Sequence, residues 1–237
     1  MSDPFGRAVA DHYHGCRDEP LLVRDGDESQ VHPIEAFYLE PFDPESEAGR
    51  WLASRVRGPL LDLGAGAGRH ALVFQDRVET VAVDTSESLV EVMADRGVRD
   101  ARVVDMFALR GRFDRDRFGS ALVVGTQVGL AGSMQGLRHF LGDLAFVTDA
   151  GATAVVDGYD PDHDAAPDLL GYRADPTPGL AYRVFHFAYE GDVSGTLLFR
   201  LFSPERLREV TVGTGWRVAD VRRDEDGSYY RAALAKP

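Results

Sequence analysis

A chain of 237 residues, 44% of them hydrophobic, can bury a sizeable core, and no segment comes near the ~20 apolar residues that span a bilayer. The formal net charge of −13 argues against nucleic acid as a partner, because phosphate contacts dominate such affinity and need a positive face. Cys16, the single cysteine, cannot close an internal disulfide, and no Cys or His spacing around it suits a structural metal.

The first residues, MSDPFGRAVADHYHGCRDE, show no basic region followed by an apolar core, so no secretion signal is expected and the cytoplasm is the default compartment. Lys236 is the only lysine, and the other basic residues are arginines. Such a chain suits either a protein kept soluble by carboxylates at high salt or a bias in genomic base composition. The densest arginine stretch, GRFDRDRF (111–118), is interleaved with Asp114 and Asp116 and reads as solvated surface.

Residues 1–50 are polar and proline-bearing, with aromatics at Phe5, Tyr13, Phe37, Tyr38 and Phe42. The apolar run PLLDL (59–63) reads as a buried strand and RHALVFQ (69–75), after a glycine-rich turn, as the opening of a helix. ETVAVD (79–84), β-branched and ending in an acid, is a second strand. SESLVEVMADRG (86–97) is a helix with Ser86 as cap, a glycine stop, and Leu89, Val90, Val92 and Met93 at helical spacing. ARVVDM (101–106) and SALVVGT (120–126) are further strands; GLRHFLGDLAFVTDAG (136–151) is an amphipathic helix and ATAVVDGYD (152–160) a fifth strand.

Residues 159–202 interrupt the pattern with a proline-rich run and two alternating stretches, AYRVFHFAYE (181–190) and SGTLLFRLF (194–202), which read as a hairpin about the turn GDV. SPERLREVTVGTGW (203–216) is a helix with Ser203 at the N-cap and Pro204 at its first position. RVADVRR and YYRAALA flank DEDGS as a terminal antiparallel hairpin. Strand and helix thus alternate five times, the pattern of parallel strands joined by right-handed crossovers with helices on both faces. Strands apolar on both faces agree with that placement.

The turn LGAGAGR puts backbone N–H groups and a helix N-terminus at the carboxyl end of the sheet, where α/β proteins bind ligands. Glycine is needed there because a β-carbon would block the ligand or forbid the backbone angles. Asp84 ends the second strand, 20 residues beyond Gly64, and a carboxylate accepts hydrogen bonds from a ribose diol. Dinucleotide enzymes favour G-x-G-x-x-G; here Arg69 stands where that third glycine belongs, and the pattern is G-x-G-x-G ending at Gly68.

With Asp62 preceding the turn inside the strand, the sequence resembles the class I S-adenosylmethionine-dependent methyltransferases, in particular the small-molecule branch that opens LDLGxGxGR. The resemblance covers residues 50–158 and 203–237. It implies an α/β, Rossmann-like three-layer sandwich with a seven-stranded, mostly parallel sheet whose last strand is antiparallel, plus an inserted β-hairpin cap. One domain, 1–237, would comprise a cap segment (1–50), a core (51–158 and 203–237) and a cap insertion (159–202). The resemblance further implies S-adenosyl-L-methionine as cofactor. Asp62 and Thr85 would be among the residues that bind it, with the backbone of Gly64, Ala65 and Gly66 at its methionine end, Asp84 at the ribose, and Asp105 and Met106 at the adenine. Gly125 and Thr126 would border the methyl-transfer region.

Each residue also has a plainer role. Asp62 can satisfy backbone donors at the turn, and Asp84 and Asp105 can be helix caps. Met106 and Phe107 suit the core or a pocket wall, and His70 a structural place. The asparagine/aspartate-Pro-Pro-aromatic signature of amino-group methylation on bases is absent from GTQVGLAG after the fourth strand, which favours a small-molecule acceptor. The cap regions bring His12, Tyr13, His14, His32, Tyr38, Tyr159, Tyr172, Tyr182 and His186, none assigned a catalytic role; no metal, nucleic acid or membrane partner is expected. The competing readings are a non-catalytic cofactor-binding protein of the same fold and a nicotinamide-dependent oxidoreductase.

Overall fold

The computed structural model describes residues 2–164 and 171–237; residues 165–170, inside the expected cap insertion, lie outside the described residues. Residues 1–50, which carry no regular pattern in the sequence, form regular elements. Asp3 caps helix α1 (Pro4–Tyr13) by accepting the Gly6 N–H at 2.9 Å, and proline takes the first turn, where a missing N–H costs nothing. Strands β1 (Leu22–Asp25) and β2 (Glu28–Val31) pair as an antiparallel hairpin about Gly26, which sits at φ +59°. β2 is exposed throughout, so its sequence has no apolar alternation. A π-helical turn (Glu35–Leu39) and α2 (Glu47–Ala53) lead into the core.

The core strands β3 (Leu60–Leu63), β4 (Thr80–Asp84), β5 (Ala101–Val103), β6 (Phe118–Val123) and β7 (Thr148–Tyr159) pair in parallel. Between them lie α3 (Ala71–Phe74), α4 (Glu87–Asp95) and α5 (Met134–Val147). Several boundaries move from their sequence-based positions, and the helix expected over 203–216 ends at Thr211. α5 starts earlier because Ser133 accepts the Gly136 N–H at 2.9 Å, and it ends at Val147, so residues 148–151 belong to β7 rather than to the helix. β5 stops at Val103, and Asp105 bends the chain by accepting the Phe107 N–H at 2.8 Å. The helix after the glycine turn is a single turn.

The insertion supplies β8 (Arg173–Ala174), β9 (Leu180–Tyr189), β10 (Asp192–Val193) and β11 (Leu197–Phe202). β9 and β11 form the expected hairpin, and β1 joins β9 in the register Leu22↔Ala188, so both irregular regions build one six-stranded sheet. The chain closes with α6 (Pro204–Thr211), β12 (Arg217–Arg223) and β13 (Tyr229–Ala235). The seven-stranded sheet has the order β12-β13-β7-β6-β3-β4-β5, and β13 runs against the rest. The last strand is therefore antiparallel as expected, and it lies between β7 and β12, with the terminal hairpin at the end of the sheet.

Side chains alternate across this sheet into two cores. Leu61, Leu63, Val81, Val83 and Val123 meet Leu137, Phe140, Leu141 and Leu144 of α5, while Leu60, Leu122 and Val155 meet Leu52 of α2 and Phe74 of α3. Trp216 donates its indole N–H to the Leu141 carbonyl at 3.0 Å, and the Tyr230 hydroxyl donates to the Phe202 carbonyl at 2.6 Å, fastening β13 to the end of the cap hairpin.

The cap sheet turns one face to the core. A β-carbon on Gly129, in the loop after β6, would lie 2.2 Å from Cε1 of Phe199 on β11. Residues paired with or two apart from Phe199, among them Arg183, Phe185 and Leu201, share that face, while Val184 and Leu198 point to solvent. Gly129→Ala is expected to overpack this contact and lower stability by about 1–3 kcal/mol. Gly142→Ala, in the middle of α5 with open space around its Cα, is expected to raise it by about 0.5–1 kcal/mol. Urea unfolding of the two variants checks both signs.

Candidate functional site

The turn after β3 needs its glycines for two different reasons. Gly64, Gly66 and Gly68 have φ of +62°, +58° and +78°. A β-carbon on Gly68 would lie 2.7 Å from Val98 Cγ2 and 3.0 Å from Met93 Cγ, so the third glycine lets the turn seat against the end of α4. The first two face away from that packing. Their missing β-carbons would meet Gln127 Oε1 at 2.5 Å and Tyr38 Cδ1 at 3.3 Å, side chains from the loop after β6 and from the N-terminal segment. The bare main chain is thus roofed by movable side chains rather than by backbone.

Two carboxylates flank it. Asp62 is 2% exposed; it accepts the Ala71 backbone N–H, while its Oδ2 has no hydrogen-bond partner among the described residues. Burial, with a smaller push from Asp84, raises its carboxyl to about 7. Asp84 accepts the Gly66 N–H at 3.0 Å and the Ser86 N–H at 3.1 Å; burial raises it and these backbone bonds oppose the rise. Thr85 is exposed beside it. Ser86 caps α4 through the Leu89 N–H at 3.1 Å and also bonds the Asp3 carboxylate, which ties α1 to this corner.

The remaining expected residues spread along the same end of the sheet. Asp105 is exposed and stabilises a turn; the helix cap read from the sequence does not form there, because only the 3-10 turn Leu109–Gly111 follows. Met106 is 5% exposed in the main core, and Phe107 packs against Phe140. Gly125 has φ +96° and Thr126 the left-handed φ of +61°, and their N–H groups donate to the Asp157 carboxylate at 2.9 and 2.6 Å. Ala65 donates its N–H to the Val83 carbonyl at 3.0 Å, holding the turn to β4. His70 is structural: its ring lies 4.8 Å from that of Phe42, and burial beside Arg69 and Arg231 lowers it to about 3.

Asp157 is the residue that sequence reasoning missed. It is fully buried, and besides the two loop N–H groups it receives a hydrogen bond from the Tyr229 hydroxyl. An acid inside the apolar run ATAVVDGY was the signal, since a buried carboxylate must be given donors. Of the cap residues, Tyr38 lies over Gly66, with its hydroxyl 2.8 Å from His32 Nε2 and its ring 5.2 Å from that of Phe5. Tyr159 and Tyr172 pack with Phe185 and Phe199 beneath the cap. Tyr182 and His186 lie on the outward-facing side of β9, and His12 and His14 pair with Glu35 and Asp95.

The arginines of 111–118 belong to another part of the molecule. Arg110, Arg112 and Arg117 line a shallow cleft of about 290 Å³ where the chain enters β6. Arg110 is paired with Asp143 and Arg117 with Glu79. Among the described residues no helix is long and apolar enough to cross a membrane, and no group of His, Cys, Asp or Glu is placed to hold a metal ion.

No protein-family model matches the chain, and no curated protein does. Solved structures do. A SAM-dependent methyltransferase from Bacteroides fragilis in complex with S-adenosyl-L-homocysteine is 24% identical, with TM-score 0.79 over 99% of this chain and 94% of its own. The CcbJ methyltransferase from Streptomyces caelestis is 16% identical, with TM-score 0.65 over 98% of both chains. The fold is that of the S-adenosylmethionine-dependent methyltransferases. A third structure with this methyltransferase fold, the Burkholderia thailandensis 1,6-didemethyltoxoflavin-N1-methyltransferase with bound 1,6-didemethyltoxoflavin and S-adenosylhomocysteine, is 19% identical, with TM-score 0.51 over 75% of this chain and 70% of its own. A dinucleotide-binding Rossmann sheet has six parallel strands and lacks an antiparallel strand slotted beside its fifth, as β13 is here beside β7.

The carboxylates of this methyltransferase fold make two predictions. Asp157→Ala leaves two loop N–H groups and a buried hydroxyl without an acceptor and is expected to cost about 3 kcal/mol in urea unfolding. Asp62 binds its proton more tightly in the folded chain than in the unfolded one, so its contribution to stability is complete below about pH 4 and lost as pH rises to about 7. Asp62→Asn should therefore stabilise the ligand-free protein at pH 8 by on the order of 3 kcal/mol, with the gain shrinking steadily toward pH 4. Urea unfolding at several pH values reads that slope.

Proposed function

We propose that the protein transfers the methyl group of S-adenosyl-L-methionine to a small-molecule acceptor by in-line displacement. The observation that carries this reading is the bare turn at 64–66 set between two carboxylates, half-buried Asp84 and buried Asp62, the latter with an unpartnered oxygen. An amino-carboxylate suits it: the ammonium answers Asp62 Oδ2, and the carboxylate meets main-chain N–H groups near Gly64, Ala65 and Gly66. Asp84 accepts from the backbone of Gly66, Ser86 and Thr85 and keeps lone-pair capacity for ribose hydroxyls. Asp105 and Met106 would border the adenine, and Gly125 the methyl-transfer region. Gln127, held over Gly64 by a flexible side chain, gives way by a rotamer change.

The bound donor supplies a methyl group already activated on a sulfonium. What remains for the chain is to hold, align and keep dry, and alignment of this kind supplies on the order of 7–11 kcal/mol of a barrier. Phe5, Tyr38 and Phe187 form a wall of rings 4.9–5.2 Å apart over the turn, suited to excluding water and to facing a cation. His32 is uncharged at neutral pH, because burial, with the Arg183 charge behind it, lowers it to about 4. Its contact with the Tyr38 hydroxyl fixes that ring above Gly66. This makes His32 a positioning residue in the proposal.

The whole chain forms one methyltransferase domain in this reading, with residues 1–50 and 159–202 as a shared cap. The acidic charge supports a small-molecule acceptor, as does likeness to folds such as that of the 1,6-didemethyltoxoflavin-N1-methyltransferase. The exposed Cys16 thiol suits a reducing cytoplasm. Asp84→Ala is expected to weaken S-adenosylhomocysteine by roughly 2–4 kcal/mol if both ribose bonds are lost. Isothermal calorimetry measures it, with Asp105→Ala as a milder comparison, and unchanged affinity in Asp84→Ala would refute the ribose assignment. Transfer of a labelled methyl group from the cofactor to a component of a metabolite extract tests the activity; tight cofactor binding with no transfer would favour a binding protein.

A further inference from the structure

The inner face of the cap holds a guanidinium that the fold leaves incompletely answered. Arg183 on β9 is 8% exposed, and its Nε has no hydrogen-bond partner among the described residues. Its contact with Asp25 Oδ2 spans 3.6 Å, beyond hydrogen-bond distance. That carboxylate is already engaged by both terminal nitrogens of Arg173, at 2.6 and 3.0 Å, and this engagement, with a smaller contribution from Arg183, holds Asp25 below the usual carboxylate range. Two guanidiniums therefore share one carboxylate, and the surplus positive charge rests on the more buried of the two.

The surroundings say what would complete it. Arg183 lies 5.1 Å from the centroid of the Phe185 ring and opposite Phe199 in the register of β9 and β11. Tyr172 packs against Phe199, with ring centroids 6.3 Å apart. Strand alternation turns this set toward the core, where Phe199 abuts Gly129 and the group joins Leu130 and Tyr159 at the carboxyl ends of β6 and β7. His32, whose ring is influenced by the Arg183 charge, is uncharged and adds no second cation there. A buried cation without its full set of acceptors is costly, and an oxyanion restores them bidentately.

We propose that Arg183 reads an anionic group on the acceptor, so that the substrate is a small flat or aromatic molecule carrying an oxyanion, a carboxylate or a phosphate. This rests on the methyltransferase reading above and specifies the substrate class of that site. The apolar body lies among Phe185, Phe199 and Tyr172, and the charged end meets the guanidinium fork. The remainder of the molecule then projects toward Gly125 and the glycine turn.

The test compares 4-hydroxybenzoate, phenyl phosphate and the neutral methyl 4-hydroxybenzoate, each titrated by calorimetry into the protein with and without saturating S-adenosylhomocysteine. At least one of the two anions is expected to bind about tenfold or more tightly than the ester. The arm that does so tells carboxylate from phosphate. Arg183→Gln is expected to erase that preference and Arg183→Lys to keep part of it, while both retain wild-type affinity for S-adenosylhomocysteine, which also reports that they fold. The inference is overturned if the wild-type protein binds acid and ester alike, if it binds none of the three, or if the preference survives in Arg183→Gln. Failure of S-adenosylhomocysteine itself to bind would overturn the cofactor reading instead, and the arm without it still measures the anion preference.

Discussion

Carboxylates at the carboxyl end of the sheet fix the backbone on which the whole site depends. Two loops leave this end as strand gives way to connection, and each is tied by a carboxylate as well as by its own backbone bonds. Asp84, at the end of β4, takes the Gly66 N–H of the neighbouring turn; Asp157, near the end of β7, takes the N–H groups of Gly125 and Thr126 in the loop after β6. In both cases a side chain on one strand anchors the main chain beyond the adjacent strand. Charge-assisted bonds are stronger than neutral ones, so such an anchor fixes a glycine-rich path without adding side-chain bulk to it. The left-handed φ of Thr126, unfavourable for a β-branched residue, persists because Asp157 pins its N–H.

The same constraint explains why the cap is built from two distant segments. A bare turn cannot exclude water by itself. Tyr38 of the N-terminal segment lies over Gly66 of that turn, Phe199 of the insertion packs on Gly129 in the loop after β6, and both regions join in one sheet through β1 and β9. Neither segment has the length of apolar sequence to make an independent core; paired, they bury Leu21, Val23, Ala188 and Tyr189. Asp3 and Ser86 close the remaining corner, so the first helix is attached to the strand end that carries Asp84. The roof and the floor of the site are hydrogen-bonded to each other.

The core was legible because its signals are local. Short apolar runs, Ser86 and Ser203 as caps, and glycine at the stops place β3, β4, β6, β7, α4 and α6 within a few residues of their positions. The glycine turn and Asp84 could be read for the same reason, since backbone freedom and a strand-end acid are encoded at single positions. The missing parts depend on partners far away in sequence. β2 has no buried residue, so nothing in its composition marks it as a strand; it exists because β1 pairs with β9, more than 150 residues downstream. Asp157 reads as an ordinary strand residue until the loop after β6 and Tyr229 converge on it. α5 starts before its apolar pattern does because Ser133 caps it, and it ends early because β-branched Thr148 continues into strand.

Charge is sorted across the site in a way that net charge conceals. The chain as a whole is strongly acidic, and at long range it repels anions; at physiological ionic strength that repulsion fades within about 8 Å. Inside the site only near neighbours matter. The floor presents Asp62 and Asp84, both with raised carboxyls that gain from a nearby cation, and the roof presents Arg183 with half a counter-ion. A sulfonium donor and an anionic acceptor would each be drawn to the opposite wall, which orders the two molecules without a side chain between them. In the proposed reading, the burial that makes Asp62 costly in the ligand-free chain would become the source of its affinity for an ammonium group, because the missing hydrogen-bond donor would arrive with the ligand.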